Sequence, residues 1–137
     1  MIYVFDSSFV CALIIPDEKN SHTDRLYAKI KNEEEKYAPQ IIWYEIANIF
    51  KNLLRRRRCT YNEILQLFPS LNAIRFTTDS ETGIDYSQKL LRLCNEYNIS
   101  SYDAAYLELA ARKKAVLCTL DDGLKIAAKK HGVAIIK

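Results

Sequence analysis

Four carboxylates stand where they could share one chemistry: Asp6, Glu45, Asp103 and Asp121. Asp6 directly follows the apolar run Ile2 to Phe5, and Asp121 follows the apolar run Ala115 to Cys118 after Thr119 and Leu120. Asp103 opens a stretch of good helix formers, and Glu45 lies at the margin of an apolar stripe made by Ile42, Ile46 and Ile49. Each has a bland explanation. Asp6 or Ser7, and Asp121 or Asp122, could cap the helices that follow them, and Ser100 with Asp103 has capping-box spacing. Glu45 is harder to explain this way, because an ionised carboxylate beside buried apolar groups is costly unless a cation or donor meets it. Acids from four segments at one place repel each other unless a divalent cation neutralises them, and all-oxygen ligation suits Mg2+, with Mn2+ as a substitute.

Other chemistries have little to draw on. His22 and His131 are the only histidines and neither accompanies a candidate nucleophile, which disfavours Ser-His or Cys-His catalysis. No Gly-rich phosphate loop and no zinc-ligand spacing are present. Cys11, Cys59, Cys94 and Cys118 form no CxxC pair and read as free thiols of a reducing cytoplasm. The opening residues do not have the pattern of a signal peptide, and no run is apolar for long enough to span a bilayer, so a cytoplasmic protein without a membrane role is expected.

Strands and helices must alternate to hold these acids. Strands are expected at Ile2 to Phe5, Tyr37 to Ala38, Ile74 to Thr77, Ala115 to Thr119 and Val133 to Ile136. Helices are expected from near Ser7 to Pro16, Ser21 to about Glu35, Ile41 to about Arg57, Tyr61 to about Leu67, Glu81 to Tyr97, Ser101 to Lys113 and Leu124 to Lys130, with Gly132 as C-cap. Apolar strands separated by helices imply a three-layer α/β fold with a central parallel sheet. Such sheets bind ligands outside the carboxyl ends of their strands, where strand order reverses. With 137 residues, 49% hydrophobic and 27% charged, and only 3 Gly and 3 Pro, one domain spanning 1–137 is expected.

The motifs resemble the PIN domain: Asp6 with Ser8 after an N-terminal strand, Glu45 in Tyr-Glu-Ile-Ala-Asn, Asp103 in Ser-Tyr-Asp-Ala-Ala-Tyr, and Asp121 in Thr-Leu-Asp-Asp-Gly. In size and motif order the chain is most similar to stand-alone PIN toxins of the VapC type, which belong to prokaryotic toxin–antitoxin pairs. The resemblance implies an acidic site of Asp6, Glu45, Asp103 and Asp121 that binds magnesium and hydrolyses RNA to 5′-phosphate and 3′-hydroxyl ends. Ser8 and Thr119 would support it, and Asp122 would be an extra ligand or a helix-start acid. A cognate antitoxin and a homodimer are implied as partners. Two other readings stay open: a housekeeping RNA-processing or DNA-directed nuclease of this fold, and a catalytically silent binding module.

The net charge of +3 permits a nucleic-acid partner without requiring one. Arg55, Arg56, Arg57 and Arg58 are consecutive, and a basic helix end is favoured by the helix dipole alone. As a phosphate-holding patch, at most two of them could face one RNA strand, with Arg55 and Arg56 the candidates.

Overall fold

In the computed structural model, which describes Met1 to Lys137, a parallel sheet is flanked by helices on its two faces. The strands are β1 (Ile2–Phe5), β2 (Glu35–Ala38), β3 (Thr77–Thr78) and β4 (Val116–Cys118). Their order is β3-β2-β1-β4, all neighbours parallel. The chain therefore builds outward from β1 through β2 to β3, then returns to place β4 on the other side of β1. The order reverses between β1 and β4, and the crevice of such a sheet opens there. Val4 pairs with Tyr37 on one side and Leu117 on the other, and the ladder continues one residue further as Asp6 N–H donates to the Cys118 carbonyl at 3.1 Å.

The helices are α1 (Ser7–Ile14), α2 (Ser21–Ala28), α3 (Ile41–Arg55), α4 (Tyr61–Leu65), α5 (Phe68–Ile74), α6 (Ile84–Tyr97), α7 (Ser101–Lys113) and α8 (Asp122–His131), with a 3-10 turn at Pro16–Glu18. They fall into two packing groups, α1 with α2, α3 and α5, and α7 with α6 and α8. Val4 and Phe5 of β1, Phe9 and Val10 of α1, and Leu107 and Leu109 of α7 are fully buried in one core. Burying an aliphatic or aromatic side chain of this kind is worth about 1.5–3 kcal/mol. α7 is enclosed almost all round: every residue from Ala104 to Ala110 is buried, Glu108 included.

Several expected boundaries shift. α2 stops at Ala28 instead of running to Glu35; Glu34 bonds back to the Lys31 N–H and Glu35 already opens β2. Residues 68–74 form a helix rather than an approach to a strand, because Pro69 sits in the first turn, where its missing N–H costs nothing. The strand that follows is displaced to Thr77–Thr78. The expected last strand is reduced to a bridge from Ile135 to Leu117, flanked by bonds from Leu117 N–H to the Ala134 carbonyl and from Ile136 N–H to the Leu117 carbonyl.

α3 ends at Arg55, and the basic run leaves the helix. Arg56 caps it, Arg57 adopts a left-handed φ of 54°, and the N–H groups of Arg57 and Arg58 bond back to the Leu54 and Leu53 carbonyls. The same Schellman-type closure ends α7 at Lys114 and α8 at Gly132, and only α8 uses the glycine that suits it.

All four cysteines are free, Cys11 and Cys118 in the core. No helix is long and apolar enough to cross a membrane.

Candidate active site

Topology brings the four acids to one edge. Asp6 leaves β1 at its carboxyl end, and Asp121 follows β4 by three residues. α3 starts directly after β2, so Glu45, in its second turn, remains near that edge. α7 enters β4 at the opposite edge, so its N-terminal turn, carrying Asp103, points back to the carboxyl ends. The bland capping roles are also real. Asp6 Oδ1 accepts the Phe9 N–H at 2.9 Å as the cap of α1, and Asp121 Oδ1 accepts the Leu124 N–H at 2.7 Å as the cap of α8. Capping and site placement coincide because both helices begin where their strands end.

The capping box expected at Ser100 is only half made. Ser100 Oγ accepts the Asp103 N–H at 3.1 Å, but the returning bond from the Ser100 N–H to the Asp103 carboxylate is absent. Both halves are present at Thr60 and Glu63 of α4.

Asp6 is the fixed point. It is 4% exposed, and both carboxylate oxygens accept bonds: Oδ1 from Ser8 Oγ at 2.7 Å and from Phe9, Oδ2 from Thr119 Oγ1. Ser8 Oγ in turn accepts the Leu120 N–H at 3.0 Å, and Thr119 Oγ1 accepts the Asp121 N–H at 3.0 Å. Ser8 and Thr119 thus tie the exits of β1 and β4 together through one buried carboxylate. Glu45 Oε1 accepts the Tyr106 hydroxyl at 2.5 Å. Tyr106, 1% exposed, was not anticipated from the sequence. Tyr106 lies three residues after Asp103, on the same side of α7, and that spacing was the available signal.

Electrostatically the acids form a chain. Burial pushes the Asp6 carboxyl up to about 6, against the lowering effect of its hydrogen bonds, and the charge on Glu45 adds to the rise. Burial also raises Glu45, with Asp103 contributing, and raises Asp103, with Asp121 contributing. The Tyr106 phenol is driven far up by burial and then by Glu45. None of the four acids forms an ion pair; the five salt bridges of the structure lie elsewhere.

The chain is not a closed cage. No three acidic, histidine or cysteine side chains converge closely enough to hold a metal ion in the orientations present. Adjacency and convergence are separate matters: backbone topology makes the acids neighbours, and side-chain rotation decides whether their oxygens meet at a point. The donor chemistry fits a hard divalent cation, being entirely oxygen, partly desolvated and without a compensating cation.

The other candidates are placed apart. Asp122 has a side chain 94% exposed and faces Lys125 at 3.6 Å instead of joining the acids. Arg55 and Arg56 are exposed at the far end of α3, about 15 Å along the helix axis from Glu45. Arg58 pairs with Asp17 at 3.1 Å. A Cβ on Gly123 would stand 3.3 Å from Asp121 Oδ1, so the glycine leaves that carboxylate room to cap α8.

A parallel α/β sheet whose polar centre is a set of carboxylates at the switch point defines a class of protein, and the particular family follows from comparison. The chain belongs to the PIN domain family, whose model matches residues 3–130. It is 27% identical over 126 residues to Ribonuclease VapC3 of Pyrobaculum aerophilum, spanning 88% of this chain and 90% of that protein. Its fold is similar to the crystal structure of PAE2754 from Pyrobaculum aerophilum, with a TM-score of 0.73, 23% identity and coverage of 98% and 83% of the two chains. It is also similar to a chain of a toxin–antitoxin complex from Klebsiella pneumoniae, with a TM-score of 0.59, 16% identity and coverage of 87% and 86%.

Proposed function

We propose that the chain is a magnesium-dependent endoribonuclease, with manganese as a substitute ion, and the toxin of a type II toxin–antitoxin pair. The observation that carries this reading is the run of mutually repelling carboxylates, Asp6, Glu45, Asp103 and Asp121, held at the sheet's switch point with no protein cation to balance them. The ribonuclease relative and the toxin–antitoxin neighbour support the substrate and the partner. Residues 1–137 act as one nuclease domain in the cytoplasm, as a homodimer restrained by a cognate antitoxin.

Asp6, Glu45, Asp103 and Asp121 would hold the metal. When bound, the ion supplies an acidified water and charge compensation at the phosphodiester. The protein's own part is positioning. Ser8 and Thr119 fix Asp6, Tyr106 fixes Glu45, and the Thr119 bond to the Asp121 N–H sets the fourth acid against the first. Asp122 serves at most as an outer acid.

Cleavage of single-stranded RNA tests this directly. EDTA is expected to stop it, and magnesium or manganese to restore it. Undiminished cleavage in EDTA, or rescue by zinc alone, would overturn the metal assignment. In cells, the intact chain expressed without an antitoxin is expected to arrest growth while Glu45→Gln does not; equal toxicity of the two would point to harm by binding.

A further inference from the structure

Two tyrosines flank the acidic site. Tyr44 precedes Glu45 and Tyr102 precedes Asp103, and they are 75% and 55% exposed. Both line an open cavity of about 400 Å³ whose wall includes Glu45, and both continue into a neighbouring cavity of about 370 Å³ where Tyr86 and Gln40 join them. These volumes lie within the roughly 300–1,000 Å³ typical of ligand sites.

The exposure of these rings has no structural use within the chain. Trp43, next in sequence and 44% exposed, shows the contrast: its ring packs on Phe76 with centroids 5.2 Å apart, and its indole N–H donates to Thr78 Oγ1 at 2.9 Å. Neither Tyr44 nor Tyr102 takes part in any ring pair or side-chain hydrogen bond of the structure.

Charge narrows the occupant. Glu45, Asp79 and Glu81 line these walls, and the nearby Arg112 is already engaged by Asp79 and Glu108. Neither wall contains a lysine or arginine, so the groove has no cation to hold a phosphate. A flat, uncharged ring with amino donors on its edge needs none, because ring faces can stack on tyrosine and carboxylates accept from exocyclic amines. We propose that the Tyr44–Tyr102 groove receives an unpaired nucleobase beside the phosphate at the acidic site. A base held in a duplex cannot offer its face in this way.

The inference rests on the nuclease reading, and the two can fail separately. Binding is measured in magnesium by fluorescence anisotropy in an Asp6→Asn background, which blocks cutting. The probes are a labelled random-sequence single-stranded RNA pool roughly ten nucleotides long, a span matched to such grooves, and an abasic ribose-phosphate strand of equal length. Tyr44→Ala and Tyr102→Ala are each expected to weaken binding of the RNA pool by about fivefold to a hundredfold, and to leave the abasic strand unaffected. Tyr44→Phe and Tyr102→Phe should keep parental affinity, since the ring and not the hydroxyl does the holding.

The inference is overturned by unchanged affinity in both Ala variants, which would leave the groove to a protein partner. Equal losses on the abasic strand, or Phe variants as weak as Ala, would overturn it too. If the chain with native Asp6 cuts RNA while the tyrosine variants bind normally, only the base-binding groove is wrong. If it cuts nothing in magnesium, the nuclease reading fails.

Discussion

Two acidic clusters sit on this molecule, and the protein treats them in opposite ways. In one, Asp79 and Glu108 close on Arg112, whose guanidinium meets Asp79 Oδ2 at 2.6 Å and Glu108 Oε1 at 2.8 Å. Its pKa is raised by those partners, Glu108 first, and one guanidinium inside the fold is shared by both acids. In the other, Asp6, Glu45 and Asp121 accept from hydroxyl or amide donors, none of these three or Asp103 meets a cation, and burial raises Asp6, Glu45 and Asp103. Hydrogen bonds to neutral donors orient a carboxylate without removing its charge. A cluster that is oriented but left uncompensated is prepared for a positive charge from outside, whereas one already paired with a cation is structural.

The largest effect that could break this contrast is on catalysis. Asp6→Asn and Asp103→Asn are each expected to slow RNA cleavage by about a hundredfold or more, the scale of losing one preorganised electrostatic group at a reacting centre. Glu108→Gln should leave the turnover of correctly folded protein near that of the parent. Rates measured at equal concentrations of folded protein decide the matter. A Glu108 variant as inactive as Asp6→Asn would mean that the two clusters work as one.

Stability should move in the other direction. Glu108→Gln weakens a nearly buried charge-assisted pair and is expected to cost about 1–2 kcal/mol. Asp6→Asn should stabilise the metal-free protein near neutral pH. With a carboxyl at about 6 in the fold and 3.8 when unfolded, the folded state keeps a proton that the unfolded state has lost. This group's contribution is therefore fully present below about pH 4, falls as pH rises through 6, and is then gone, a change of roughly 3 kcal/mol. Melting in EDTA from acid to neutral pH should show a decline in the parent that Asp6→Asn largely removes. Parallel curves would mean that Asp6 is no burden to the empty fold.

The legible part of the site was the part written in the backbone. Asp6 and Asp121 could be placed because a strand followed by a helix start needs no tertiary information, and α7 was bounded at Ser101 and Lys113 by its cap and its composition. Glu45 stood out as a charge on an apolar margin. Tyr106 did not, because a buried tyrosine in a buried helix reads as core until its hydroxyl is seen to reach Glu45 across 61 residues of sequence. The 68–74 helix was hidden by Pro69, which signals a helix start as readily as a stop. The basic run does mark the end of α3, but residue type does not reveal that Arg57 takes the left-handed position usually given to glycine. Side-chain convergence, on which metal affinity depends, is set by rotamers and left no trace in the spacing.

The smallest expected effects concern that arginine run, which sharpens the comparison by adding a cationic surface at the opposite end of α3 from Glu45. Arg58 is occupied by Asp17 in an exposed pair, so Arg58→Ala should cost less than about 1 kcal/mol and leave RNA binding alone. Arg57→Gly removes a side chain from a left-handed residue and is expected to stabilise the fold by about 1 kcal/mol, read as a small rise in melting temperature. Arg55 and Arg56 are the residues proposed to touch phosphate. At about 15 Å from Glu45 they could hold a strand only several nucleotides away from the cut, so Arg55→Ala and Arg56→Ala should raise KM and leave kcat unchanged. In the cutting-blocked background each should also reduce the slope of log affinity against log salt on single-stranded RNA by about 0.7. A slope equal to the parent's in both variants would show that α3 ends in a structural cap, with RNA reaching the acids over other residues.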